Sequence, residues 1–139
     1  MYTYSMSKKI LLIEDDIFIR EMYEYVLKKK HYTIVTALDG TQALEQAQTK
    51  PDLILLDIML PKVHGIDVLK KLKSEKKTKN IPVVMITNLA DKEIIEHTFE
   101  LGAQGYILKV RFDPEEVCAT IKLFLDDPHF QMKLEPHHL

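Results

Sequence analysis

The amino-acid sequence predicts an α/β fold: a doubly wound, five-stranded parallel sheet with helices on both faces. Three observations carry that expectation. Short apolar runs alternate five times with stretches of helical periodicity, and every connection is short. The runs over 10–13 and 53–56 contain no polar break, as strands buried on both faces require. The 139 residues suit one domain, a size that buries about 68% of the unfolded surface.

Each element has its own warrant. The run 10–13 is a strand that ends in Glu14, Asp15 and Asp16. Residues 17–30 have helical spacing, with Phe18, Met22, Tyr25 and Val26 expected on one apolar side. Lys28, Lys29 and Lys30 suit the negative end of that helix. The β-branched stretch 33–37 is a second strand, and Asp39-Gly40 is a turn. Ala43, Leu44 and Ala47 mark a short helix before Pro51. The third strand, 53–56, ends on Asp57, and Pro61 and Gly65 supply turn chemistry before the next helix. Ile66, Val68, Leu69 and Leu72 form that helix's apolar side. The fourth strand, 82–86, ends at Thr87-Asn88. Asp91 is an N-cap for a helix carrying Ile94, Ile95, Thr98, Phe99 and Leu101. Gly102 and Gly105 bracket a turn into the fifth strand, 106–108, which ends at Lys109. Asp113-Pro114-Glu115-Glu116 starts the last helix, with Val117, Cys118, Ile121, Leu123, Phe124 and Leu125 as its apolar face. The domain is expected over 8–127. Residues 1–7 and 128–139 read as tails that fit a vector-derived origin, with Met6 a candidate natural start.

Composition narrows the function classes. A net charge of -2 gives no global attraction to nucleic acid or anionic membrane. The single cysteine, Cys118, excludes an internal disulfide framework and fits a reducing compartment. No apolar run approaches the ~18 residues of a membrane span. The expected location is cytoplasmic. The lysines at 70, 71, 73, 76, 77 and 79 read as a solvated helix end rather than a nucleic-acid surface.

The chemistry comes from one edge of the sheet. Parallel strands present their C-terminal ends together, and ligands of open α/β sheets bind at that edge. The first strand delivers Glu14 and Asp15, the third Asp57, the fourth Thr87 and the fifth Lys109. Asp57 alone would be an ordinary turn or helix cap. Three carboxylates together repel one another, at about 4 kcal/mol per pair at ~4 Å and an effective dielectric near 20. Such a cluster needs protons or a cation. Hard oxygen donors select Mg²⁺ or Mn²⁺, whose open positions a phosphoryl group can occupy. A hydroxyl and an ammonium on the same rim suit the remaining phosphoryl oxygens. Asp57 is therefore a candidate nucleophile for phosphoryl transfer.

This set resembles the receiver domains of two-component response regulators. The likeness runs from about residue 8 to 126. It includes the spacing Asp57…Pro61…Gly65 and the segment Gly102-Ala103…Gly105-Tyr106-Ile107-Leu108-Lys109. The resemblance implies the flavodoxin-like strand order 2-1-3-4-5. It implies that Asp57 accepts a phosphoryl group from a sensor histidine kinase or phosphotransfer protein. Asp15, Asp57 and the backbone carbonyl of Met59 would hold Mg²⁺, with Glu14 acting through water. Lys109 would pair with Asp57 and then with the phosphoryl group. Thr87 and Tyr106 would form the switch, altering the face built from the fourth helix, fifth strand and fifth helix. That face is also where a homodimer or a downstream protein target is expected, with no direct nucleic-acid contact and no membrane. Such a domain is a signalling switch that assists its own phosphorylation, not a metabolic enzyme. No output domain follows the last helix of this sequence, so a single-domain regulator or a piece of a longer protein is expected.

Three residues depart from the family pattern. Val110 replaces the usual proline after the lysine, so a trans bond and an altered loop are expected, since a cis bond there costs ~3 kcal/mol. Asn88 replaces a smaller residue, and His64 replaces an acid before Gly65. Two other functions compete. One is a pseudo-receiver, an interaction module indifferent to phosphorylation. The other is a Mg²⁺-dependent phosphatase, which the apolar Met59 disfavours because no second acid follows the nucleophile.

Overall fold

The chain alternates strand and helix without exception in the computed structural model, which describes residues 7–133. In order the elements are β1 (Lys9–Ile13), α1 (Ile17–Lys29), β2 (Thr33–Ala37), α2 (Gly40–Ala47), β3 (Leu53–Leu56), α3 (Gly65–Ser74), β4 (Val83–Thr87), α4 (Lys92–Glu100), β5 (Gly105–Leu108) and α5 (Pro114–Asp126). The strands are all parallel, in the order β2-β1-β3-β4-β5. Strands β1 and β3 sit inside the sheet and are buried on both faces, which is why their sequences carry no polar break.

The pleat divides the apolar residues between two cores. Leu11, Ile13, Ile54 and Leu56 face one side, where they meet Val68, Leu69 and Leu72 of α3 and Ile95 of α4. Ile10, Leu12, Leu53 and Leu55 face the other, against Tyr23 and Leu27 of α1 and Ile121 and Phe124 of α5. The helices start where the sequence places polar caps. Asp16, Asp39, Asp91 and Asp113 each accept hydrogen bonds from the first turn, and Asp113 with Glu116 forms a reciprocal capping box. His64 caps α3 through Nδ1, which accepts from the Ile66 amide at 3.2 Å.

Several expectations are corrected. Helix α1 buries Tyr23 and Leu27, while Phe18, Met22 and Tyr25 point outward, Phe18 with 81% of its surface exposed. The apolar residues of α1 occupy two sides of the helix, and only the side facing the sheet is buried. Leu123 of α5 is likewise exposed. Lys73 is not a solvated helix end. Its ammonium donates to the carbonyls of Ile81 (2.9 Å) and Lys79 (3.2 Å), its stem packs on Gly102, and burial lowers its pKa to about 8.

The domain limit at 127 also leaves out a folded segment. Residues 128–133 return across the start of β5: Gln104 Nε2 donates to the carbonyls of Pro128 (2.8 Å) and Phe130 (2.9 Å). The Met132 amide donates to the Gln104 carbonyl at 2.9 Å, and Phe130 packs edge-on against Phe124 with ring centroids 5.1 Å apart. Ser7, placed in the N-terminal tail, donates to the His31 carbonyl at 2.6 Å. The remaining tail residues, including Met6, lie outside the described residues. Among those described, no helix is long and apolar enough to cross a membrane.

Candidate functional site

Sheet register brings the first acids together. Ile13 lies beside Leu56, so the next residues, Glu14 and Asp57, leave the sheet side by side. Backbone bonds fix them there: the Asp57 amide donates to the Ile13 carbonyl (3.3 Å) and the Glu14 amide to the Ala37 carbonyl (3.1 Å). Carboxylate oxygens of Glu14, Asp15 and Asp57 lie within 4.8 Å of one another. Glu14 and Asp57 are buried, whereas Asp15 is exposed and opens the cluster to solvent.

Lys109 arrives from the other direction. Thr87 pairs with Leu108 across β4 and β5, and the Lys109 amide donates to the Thr87 carbonyl at 2.9 Å. Its ammonium donates to Asp57 Oδ2 at 2.7 Å and also to Glu14 Oε2. The link to Glu14 was not among the expectations. It supplies a third way to relieve the repulsion, an ammonium of the chain itself. No peptide bond among the described residues is cis, so Val110 follows a trans bond, yet Lys109 still reaches the acids.

The electrostatics follow from burial. Burial raises the pKa of Glu14, against the opposing hydrogen bond from Lys109. For Lys109 burial acts downward, but the hydrogen bonds to Asp57 and Glu14 outweigh it and hold the ammonium charged above the ordinary lysine range. Counted formally, three carboxylates against one ammonium leave a charge of two minus for a cation to balance. Oxygen donors only, a deficit of two positive charges and one solvent-open side fit a divalent hard cation such as Mg²⁺. Asp57 Oδ1 accepts from the Met59 amide at 3.2 Å, so the backbone at Met59 folds back over the carboxylate.

Thr87 and Tyr106 stand beside this cluster, and no hydrogen bond joins either to it among the described residues. Both are buried and both hold Leu89. Thr87 Oγ1 accepts from the Leu89 amide at 3.4 Å, and the Tyr106 hydroxyl donates to the Leu89 carbonyl. Burial first, then the Asp57 charge, pushes the Tyr106 phenol up. Leu89 carried no sequence signal for this part, because only its backbone atoms bond to Thr87 and Tyr106. Asn88 is exposed and does not enter the acid cluster.

Comparison with known proteins agrees with this geometry. A family model described as the response regulator receiver domain matches residues 10–122. The alkaline phosphatase synthesis transcriptional regulatory protein PhoP of Bacillus subtilis is 42% identical over 121 residues, 86% of this chain and 49% of that protein. The phosphate regulon transcriptional regulatory protein PhoB of Escherichia coli is 44% identical over 118 residues, 84% of this chain and 51% of that protein. The chain thus spans about half the length of these curated relatives. Among solved structures, chemotaxis protein CheY4 of Vibrio cholerae superposes with a TM-score of 0.79 at 30% identity, covering 85% of this chain and 98% of that one. The BeF3-activated N-terminal receiver domain of Klebsiella pneumoniae RstA gives 0.77 at 33%, covering 85% and 98%. With most of its length inside the family match and the acids and lysine gathered at the carboxyl edge of the sheet, the chain belongs to the receiver domains of two-component response regulators.

Proposed function

We propose that Asp57 is the phosphoacceptor of a Mg²⁺-dependent signalling switch, charged from the phosphohistidine of a sensor histidine kinase or phosphotransfer protein. The observation that carries the reading is the convergence of Glu14, Asp15 and Asp57 within 4.8 Å, with the Lys109 ammonium 2.7 Å from Asp57 Oδ2. Glu14, Asp15, Asp57 and the Met59 carbonyl are the groups that would hold the cation, which when bound offsets the negative charge of the phosphoryl oxygens. An Asp57 carboxylate oxygen attacks phosphorus, the phosphorus–nitrogen bond breaks, and the imidazole leaves with its electron pair. Lys109 stays at the site and exchanges its contact with Asp57 for one with a phosphoryl oxygen.

The readout runs through Leu89. A phosphoryl group brings new acceptor oxygens and negative charge. Thr87 turning toward it releases the Leu89 amide, while Tyr106 grips the carbonyl of the same residue. The α4–β5–α5 face therefore changes as a unit, biasing contact with a downstream protein or a second copy of the chain. The relatives' names describe transcriptional regulators, so a target in transcription control is part of the proposal. The BeF3-activated receiver domain of RstA supports testing this chain with the same mimic.

Intact-mass measurement after incubation with Mg²⁺ and a small phosphodonor tests the reading. One added phosphoryl group is expected, absent with chelator and absent in Asp57→Asn. An unchanged mass in the wild-type protein would favour the interaction module that ignores phosphorylation.

A further inference from the structure

The loop that carries Glu14 and Asp15 is held from behind by a residue with no part in the chemistry above. Arg20, in the first turns of α1, is partly buried. Its Nη1 donates to the Glu14 carbonyl at 3.0 Å and toward the Asp15 carbonyl at 3.4 Å. These two carbonyls belong to the same residues whose carboxylates face Asp57. One guanidinium nitrogen thus ties both backbone units, whose carboxylates converge with that of Asp57. The Asp16 amide is fixed as well, donating to Glu14 Oε1 at 3.1 Å, and the Asp16 side chain caps α1. Without Arg20 the Glu14 and Asp15 carbonyls would lose these side-chain bonds, while the helix cap and the Glu14 amide bond to Ala37 would remain.

We infer that Arg20 is a positioning residue for the divalent-cation site: it holds the Glu14 and Asp15 backbone so that their carboxylates converge on Asp57. The inference rests on the cation-dependent reading above. It also makes a prediction of opposite sign to simple electrostatics. The positive charge of Arg20 near the cluster opposes an incoming cation. Charge alone therefore gives tighter Mg²⁺ binding when Arg20 is neutralised. Positioning gives weaker binding, because partners that orient metal ligands typically contribute ~10-fold to 100-fold in affinity.

The test is calorimetric titration of the chain with Mg²⁺, comparing wild type, Arg20→Met and Arg20→Lys, with melting temperatures taken in chelator. Arg20→Met keeps most of the stem and removes donors and charge. Its dissociation constant is expected to rise at least ~10-fold, with the metal-free melting temperature close to wild type. Arg20→Lys, which keeps the charge on a different donor geometry, is expected to fall between. Unchanged or tighter binding in Arg20→Met overturns the inference, as does a drop in melting temperature with no change in affinity. If Arg20→Met does not fold, Arg20→Lys decides, since binding equal to wild type overturns the inference and weaker binding supports it. A wild type that binds Mg²⁺ but takes no phosphoryl group would sink the phosphoacceptor reading alone. A wild type that binds no Mg²⁺ would sink both.

Discussion

Glu14 is the residue at which folding and the proposed function pull in opposite directions. Strand register buries it next to Asp57, and burial raises its pKa. A carboxyl with a raised pKa holds its proton more tightly in the folded chain than in the unfolded one. Its contribution to stability is therefore full below the ordinary glutamate value of about 4.3 and is lost as pH rises through the raised folded value. As pH rises past that range, burial makes the ionised form of Glu14 a liability that Lys109 only partly relieves. Glu14→Gln is thus expected to raise the melting temperature at pH 7 in chelator by a few degrees, at about 3 °C per kcal/mol for this size. It should also flatten the acid side of the stability profile. Thermal unfolding from pH 4 to 8 checks both, and a lower melting temperature at pH 7 would contradict the assignment. At this scale the charged groups were legible, because Glu14, Asp57 and Lys109 directly follow an apolar run and Asp15 comes one residue later. Arg20 and Leu89 were not legible, because their parts depend on backbone carbonyls and amides that no residue type announces. Lys73 was misread for the same reason: two loop carbonyls hold its ammonium.

Among the elements, α3 is the one set most tightly against the site. A Cβ on Gly65 would lie 2.2 Å from the Asp57 carbonyl oxygen and 2.6 Å from Ile58 Cα, both backbone atoms that cannot swing away. Gly65→Ala is expected to lose about 2 kcal/mol of stability through overpacking and to shift the Asp57 turn. Urea unfolding checks the first, and slower phosphoryl uptake from a small phosphodonor the second. The segment after α5 offers another test. Gln104→Ala removes both side-chain bonds to residues 128–133, with an expected loss of about 1–2 kcal/mol. Faster exchange of the Met132 amide would show the segment released. The caps Asp91 and Asp113 were legible in the sequence, whereas the capping roles of Asp16, Asp39 and His64 and the buried side of α1 were not. Its sequence carries apolar residues on both sides, and packing against the sheet, not hydropathy, selects Tyr23 and Leu27.

For the whole molecule, the topology is what turns scattered polar residues into one site. Parallel strands bring every strand end to a common edge, so residues as far apart as Glu14 and Lys109 meet through an order, β2-β1-β3-β4-β5, that alternation alone does not specify. The fold class was legible from that alternation and from unbroken apolar strands. The order rested on the family resemblance, and the side-chain geometry needed the structure. The same architecture leaves the Thr87–Leu89–Tyr106 contacts beside the acid cluster, at the α4 and β5 side where the proposed switch would act. The most direct test of the central claim maps the modified residue itself. After incubation with Mg²⁺ and a small phosphodonor, borohydride reduction converts an aspartyl phosphate to homoserine. Peptide sequencing is predicted to find homoserine at position 57 only, and only when Mg²⁺ was present. Reduction at Asp15 or Glu14 instead, or at position 57 equally in chelator, would contradict the account.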